Sequence, residues 1–184
     1  MSLIKRVLRK TIRIAKGGSP LDRHLKRGLK VGKNFSLLED VILDYSHTFH
    51  IEIGDDVTLA PRVHILAHDA STKKHLGYTR IGKVTIGDRV FIGASAIILP
   101  GLVIGSDVII GAGSVVSSDI PNGVVVAGNP AKVICTTTDY MDRKRKELKK
   151  VPCFGEEYTF STGLTQKQMD EMNQKMAERI GYIV

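Results

Sequence analysis

The chain has 184 residues, 42% of them apolar, 25% charged and 5% aromatic, with no tryptophan. This is globular composition, which excludes a disordered or fibrous chain, and the length fits one domain with appendages. The net charge of +8 is concentrated: residues 1–30 carry ten Lys or Arg and one acid, leaving the rest near −1, which excludes a nucleic-acid face along the body of the protein.

Residues 1–30 read as a basic amphipathic arm. Ile4, Val7, Leu8, Thr11, Ile12 and Ala15 fall on one helical face, and Gly17-Gly18 ends the run. Lys5, Arg6, Arg9, Lys10 and Arg13 interrupt it, which argues against a signal peptide. No stretch reaches the roughly 18 to 20 apolar residues of a membrane span. The two cysteines, Cys135 and Cys153, lack metal-type spacing and fit a reducing compartment, so a cytoplasmic protein is expected. The arm is expected to cap the next domain. Its second reading is peripheral contact with an anionic inner-membrane surface.

From Val31 an aliphatic residue recurs at every sixth position: Val31, Leu37, Leu43; then Ile53, Leu59, Ile65; then Ile86, Ile92, Ile98, Ile104, Ile110, Val116. A small or acidic residue often follows it, as at Gly32, Asp44, Gly54, Gly87 and Gly105. The fifth position is small or β-branched: Val57, Val63, Val90, Ala96, Val108, Ser114. Short strands send side chains alternately in and out, and Gly, Asn or Asp tolerates the turn between them. Three hexapeptides then make an 18-residue coil whose aliphatic residues stack on those of the next coil. The predicted coils are 31–48, 53–70, 86–103 and 104–121, with a partial turn near 126–134. A sandwich is disfavoured by six unbroken hexapeptides over 86–121.

The period breaks at 71–85, STKKHLGYTRIGKVT, which reads as a loop ejected from the scaffold. Loops of this kind usually carry function. His64 and His68 lie just before it and His75 within it. Histidine titrates near neutrality and serves as a general base. The residues alone leave the choice among these three open.

Residues 136–184 form a C-terminal helical extension. A basic helix is predicted near 139–150. A second, near 166–180, follows Thr165 with Gln168 placed for a capping box, and Met169, Met172, Met176 and Ile180 would form its buried stripe.

The run IGDRVFIGASAIILPGLVIGSDVIIGAGSVVSSDIP, followed by VVAGNPAKVI, resembles the hexapeptide-repeat acyltransferases. The closer likeness is to the galactoside and maltose O-acetyltransferases and their capsule or exopolysaccharide relatives, over roughly residues 31–135. The resemblance implies a mainly β catalytic domain, a left-handed parallel β-helix, assembled as a homotrimer. It implies acetyl-coenzyme A as cosubstrate, no metal, and direct transfer to a hydroxyl of a sugar or glycan precursor. His68 occupies about the place of the catalytic His. Asp44 and His47, one coil earlier, match the acceptor region, with Asp69 and His75 as further acceptor contacts. Asp44 has two implied roles: it orients a sugar hydroxyl or the catalytic imidazole. For the coenzyme, Gly93 and Gly113 offer a flat channel, and the Ala94 N–H matches the donor to the thioester oxygen. Ala112, Ser117 and Ser118 match positions along the coenzyme, and Lys132 would supply a phosphate-side cation.

Three other functions fit the same scaffold. A zinc hydratase on this prism would need histidines about two coils beyond the first, and none follows His75. The others are N-acetyl transfer to an amino sugar and a non-catalytic prism.

Overall fold

A computed structural model of the chain describes residues 20–176 and 180–184. The predicted helix over residues 4–15 lies outside the described residues. They fall into two compact units that meet between Thr137 and Thr138.

The first unit is a prism of two- and three-residue strands wound as successive coils. Coil 1 holds β1 (Lys30–Val31), β2 (Ser36–Leu37) and β3 (Ile42–Leu43); coil 2 holds β4 (Ile51–Ile53), β5 (Thr58–Leu59) and β6 (His64–Ile65). A hairpin of β7 (His68–Asp69) and β8 (Arg80–Ile81) follows. Coil 3 holds β9 (Val84–Ile86), β10 (Phe91–Ile92) and β11 (Ile97–Ile98), and coil 4 holds β12 (Val103–Ile104), β13 (Ile109–Ile110) and β14 (Val115–Val116). The first, second and third strands of each coil pair in parallel with their equivalents, giving three faces. Val31, Ile53, Ile86 and Ile104 lie in register on one face, Leu37, Leu59, Ile92 and Ile110 on the second, and Leu43, Ile65, Ile98 and Val116 on the third. These are the twelve positions of the six-residue period. Fifth-position residues Val57, Val63, Val90, Ala96, Val108 and Ser114 share the interior, all at most 1% exposed. Only at the first coil are Val31 and Leu37 part-covered; there Leu21 of α1 (Pro20–Lys26) packs against the core.

The small and acidic residues after the inward aliphatic have a common task. The turn N–H of Lys33 is capped by the Asp55 carboxylate of the next coil (2.6 Å), that of Asp55 by Asp88 (2.8 Å), that of Asp88 by the Ser106 hydroxyl (3.0 Å), and that of Ser106 by the Asn122 amide oxygen (2.7 Å). This ladder satisfies turn donors that no strand can pair. The glycine before each must lack a side chain because the coils touch there: a Cβ on Gly54 would lie 2.8 Å from the Gly87 carbonyl.

Two boundaries differ from the sequence expectation. The ejected segment is a hairpin from His68 to Ile81 rather than 71–85, because Val84 already pairs with Ile51 and re-enters the coil. The partial turn near 126–134 is a hairpin: β15 (Val124–Ala127) joins the second face beside β13, and β16 (Lys132–Thr136) returns antiparallel to it. That reversal closes the stack.

The second unit carries most of α3 (Thr137–Leu148) and α4 (Gln166–Lys175), with β17 (Cys153–Phe154) paired in parallel with β18 (Tyr182–Ile183). The capping box forms: Thr165 Oγ1 accepts from the Gln168 N–H, and the Gln168 side chain accepts from the Thr165 N–H (2.9 Å). The expected Met stripe does not close. Met169, Met172 and Met176 are half-buried, the helix ends at Lys175, and Ile180 is 49% exposed. The buried anchor of this unit is Phe154 instead, 5.2 Å from the Tyr158 ring. Among the described residues no helix is long and apolar enough to cross a membrane.

Ile98, fully buried between Ile65 and Val116, tests the stacking. Ile98→Ala should lower unfolding free energy by about 2 to 5 kcal/mol in chemical denaturation, whereas Phe91→Ala, on the exposed side of the same coil, should cost far less.

Candidate active site

The register locates two insertions. Val31 pairs with Ile53, 22 residues on, and Ile53 with Ile86, 33 residues on, where an uninterrupted coil takes the 18 that separate Ile86 from Ile104. Both insertions leave the prism at the edge between third and first faces, after Leu43 and after Ile65. They are neighbours along that edge, one coil apart.

Asp44 begins the first insertion and its side chain is wholly buried. Oδ1 accepts from the Ser46 N–H (3.2 Å), the Ser46 hydroxyl (3.0 Å) and the His47 N–H (3.1 Å). Oδ2 accepts from the Ala67 N–H (2.8 Å) and meets His68 Nδ1 at 2.5 Å. The Thr48 hydroxyl donates to the Asp44 carbonyl, completing the turn. Burial pushes the Asp44 carboxyl up. The Ala67 N–H, the His68 ring, the Ser46 hydroxyl and the His47 N–H more than offset this and hold it at about 2.

An ionised carboxylate only accepts, so the proton of this bond sits on His68 Nδ1, and in the neutral imidazole the lone pair is on Nε2. The His68 side chain is 37% exposed. Its ring lies 5.1 Å from that of His47, whose Nδ1 is 2.9 Å from the Ser46 hydroxyl. The arrangement is a buried carboxylate, an oriented imidazole and a partly open basic nitrogen. Donor atoms of Asp44, His47 and His68 lie within 4.8 Å of one another. The Asp44 oxygens, however, already accept five hydrogen bonds, which is the environment of an acid–base pair rather than of a free metal ligand.

The remaining candidates are dispersed. Asp69 pairs across the hairpin with Arg80 and accepts from the Ser71 N–H (2.8 Å), which holds its carboxyl below the usual range. His75 is exposed on a short helix, α2 (Lys73–Leu76), at the hairpin tip, and His64 is half-buried on the third face. Gly93, Ala94, Ala112 and Gly113 stack at the edge between second and third faces, where Gly113 N–H donates to the Ala94 carbonyl (2.8 Å) and a Cβ on Gly93 would meet the Ala112 nitrogen at 2.5 Å. Ser117 and Ser118 lie on the His68 edge, and Lys132 is exposed on β16. Sequence reasoning missed Ser46 and the Ala67 N–H. The Asp-x-Ser spacing at 44–46 is a turn signal that marks the first.

Residues 83–118 match the family described as Bacterial transferase hexapeptide (six repeats). A solved maltose O-acetyltransferase from Clostridium difficile 630 aligns with a TM-score of 0.52 at 32% identity, covering 71% of this chain and 84% of that one. This chain belongs to the hexapeptide-repeat acetyltransferase family. CapG of Staphylococcus aureus is 40% identical over 124 residues, 65% of this chain and 72% of that protein. A hexapeptide-repeat acetyltransferase of Vibrio cholerae, solved in complex with acetyl-coenzyme A, aligns with a TM-score of 0.55 at 25% identity over 60% of this chain and 61% of that one. The chain spans 60 to 72% of the length of three of its curated relatives and 26 to 56% of that of five others.

The low Asp44 carboxyl predicts an acid-dependent stability. A group depressed from 3.8 to about 2 contributes above its unfolded value and loses that contribution as pH falls through its folded value. The stability difference between wild type and Asp44→Asn should level off above about pH 5 and shrink by about 2 kcal/mol as pH falls toward 2, measured by denaturant titration.

Proposed function

We propose that this protein transfers the acetyl group of acetyl-coenzyme A to a hydroxyl of a sugar or glycan precursor, with His68 as general base and Asp44 as its positioning partner. The observation that carries this is the His68 Nδ1 to Asp44 Oδ2 bond on the edge where both insertions emerge. Asp44 is wholly buried, so of its two implied roles the geometry favours orienting the imidazole over touching the acceptor.

The step runs without a covalent enzyme intermediate. His68 Nε2 takes the acceptor hydroxyl proton as the oxygen attacks the thioester carbonyl. The tetrahedral oxyanion is met by the Ala94 N–H. It collapses with cleavage of the C–S bond, and the departing coenzyme A thiolate takes the proton back from Nε2. General-base assistance of this kind contributes about 10²- to 10⁴-fold, and orientation of the two reactants more. His47 lies beside His68 and takes the acceptor-side role, with Asp69 and His75 further out along the hairpin. Gly93, Ala112, Gly113, Ser117, Ser118 and Lys132 follow the coenzyme.

A homotrimer of left-handed prisms suits this assignment. Ala94 and Ala112 stand on a different edge from His68, a full face away. A coenzyme lying between two copies would touch the Ala94 edge of one and the His68 edge of the next. N-acetyl transfer to an amino sugar uses the same base, so the acceptor is decided by assay. The fold does not by itself require the Asp44–His68 bond, which argues against a non-catalytic prism.

Purified protein with labelled acetyl-coenzyme A should acetylate a member of a panel of free sugars, nucleotide sugars and glycan fragments. His68→Ala should reduce that turnover by at least about 100-fold while retaining coenzyme binding. Turnover near wild type in that variant would overturn the assignment.

A further inference from the structure

The four extra residues of the first insertion build more than the Asp44 turn. They carry Phe49, a residue 54% exposed, in a 3-10 turn over Thr48–His50. The Phe49 ring centroid lies 4.3 Å from that of His50 and 6.0 Å from that of His47, and His47 lies 5.1 Å from His68. His47 and His50 are also 6.0 Å apart, so His47, Phe49 and His50 form one cluster of rings, joined to His68 through His47.

The mount is rigid. Gly28, at φ 90°, passes so close that a Cβ there would lie 2.9 Å from Phe49 Cβ. The Thr48 hydroxyl holds the Asp44 carbonyl. His24 Nδ1 lies 3.4 Å from Thr48 Oγ1. Arg27 donates to the Tyr45 carbonyl (2.9 Å) and lies 3.4 Å over the Tyr45 ring. Folding does not demand this bulge, because the uninterrupted third coil turns the same edge between Ile98 and Val103 without it. A large ring held half in water, beside imidazoles and near a general base, matches the surface a pyranose uses. Its C–H face lies on the aromatic, and its rim hydroxyls reach polar groups.

We infer that Phe49, flanked by His47 and His50, is the platform on which the pyranose ring of the acceptor lies, so that the site selects cyclic sugars over open-chain polyols. This rests on the acetyl-transfer reading of the same edge. Saturation-transfer NMR tests it with methyl α-glucopyranoside and methyl β-galactopyranoside against glucitol and galactitol. Wild type and His68→Ala should both saturate the pyranoside ring protons. Phe49→Ala and Phe49→Leu should weaken that signal about three- to tenfold, Phe49→Tyr should keep it, and the open-chain polyols should give little in any variant. Phe49→Leu keeps apolar bulk, and a thermal melt matching wild type separates lost binding from unfolding. Undiminished signal in Phe49→Leu, equal signal from the polyols, or no pyranoside signal in wild type overturns the platform. Failure of the transferase reading looks different: Phe49-dependent pyranoside binding persists, yet no acetyl moves from acetyl-coenzyme A to the bound sugar.

Discussion

Everything in the first unit depends on one inward aliphatic side chain per face per coil, stacked in register on its equivalent in the next coil. Twelve such residues, nine of them at most 2% exposed, define the three faces. Strands two residues long have almost no stability of their own, so register comes from this stack and from the side chains that cap turn N–H groups one coil away. A regular scaffold of this kind tolerates insertion only where the chain can leave and re-enter without moving an inward residue. The corners are those places: the left-handed backbone of Asp40, Asp56, Arg62, Arg89, Ser95 and Asp107 sets the tight turns at two edges, and the insertions use the third.

Chemistry enters through that tolerance. Two insertions on neighbouring coils of one edge place Asp44 beneath His68 although 24 residues separate them in sequence. The burial that makes an uncompensated carboxylate costly is answered by two backbone N–H groups from its own turn, one from the next coil and the Ser46 hydroxyl. The fifth bond goes to His68. The carboxylate is therefore fixed by the scaffold before any substrate arrives, and it fixes the imidazole in turn.

The period of six made the coil register readable, because an inward position cannot change type without a cavity or a clash. Leu43 to Ile53 and Ile65 to Ile86 were readable as breaks for the same reason. The hairpin boundaries were less readable: Val84 is apolar and β-branched, but it sits two residues before the hexapeptide position and pairs only because β4 is three residues long. At the site, His68 and Asp44 were accessible through the corner and the resemblance. The hydrogen bond between them was one of two roles open to Asp44, and the choice depends on how a four-residue bulge closes. Ser46, the Ala67 N–H and Phe49 belong to that bulge or its neighbour and carry no periodic signal. The C-terminal Met stripe illustrates the opposite case: the helical spacing is present, yet burial in that unit falls on Phe154.

General-base chemistry at this edge requires His68 to present Nε2 as a free base while Asp44 holds the proton on Nδ1. Long-range ¹⁵N–¹H correlation of the His68 imidazole near neutral pH measures this directly. The predicted spectrum has a protonated Nδ1 and an unprotonated Nε2 in the wild type, with that tautomer lost in Asp44→Asn. A wild-type ring carrying its proton on Nε2, or the same tautomer mixture in both proteins, would contradict the account.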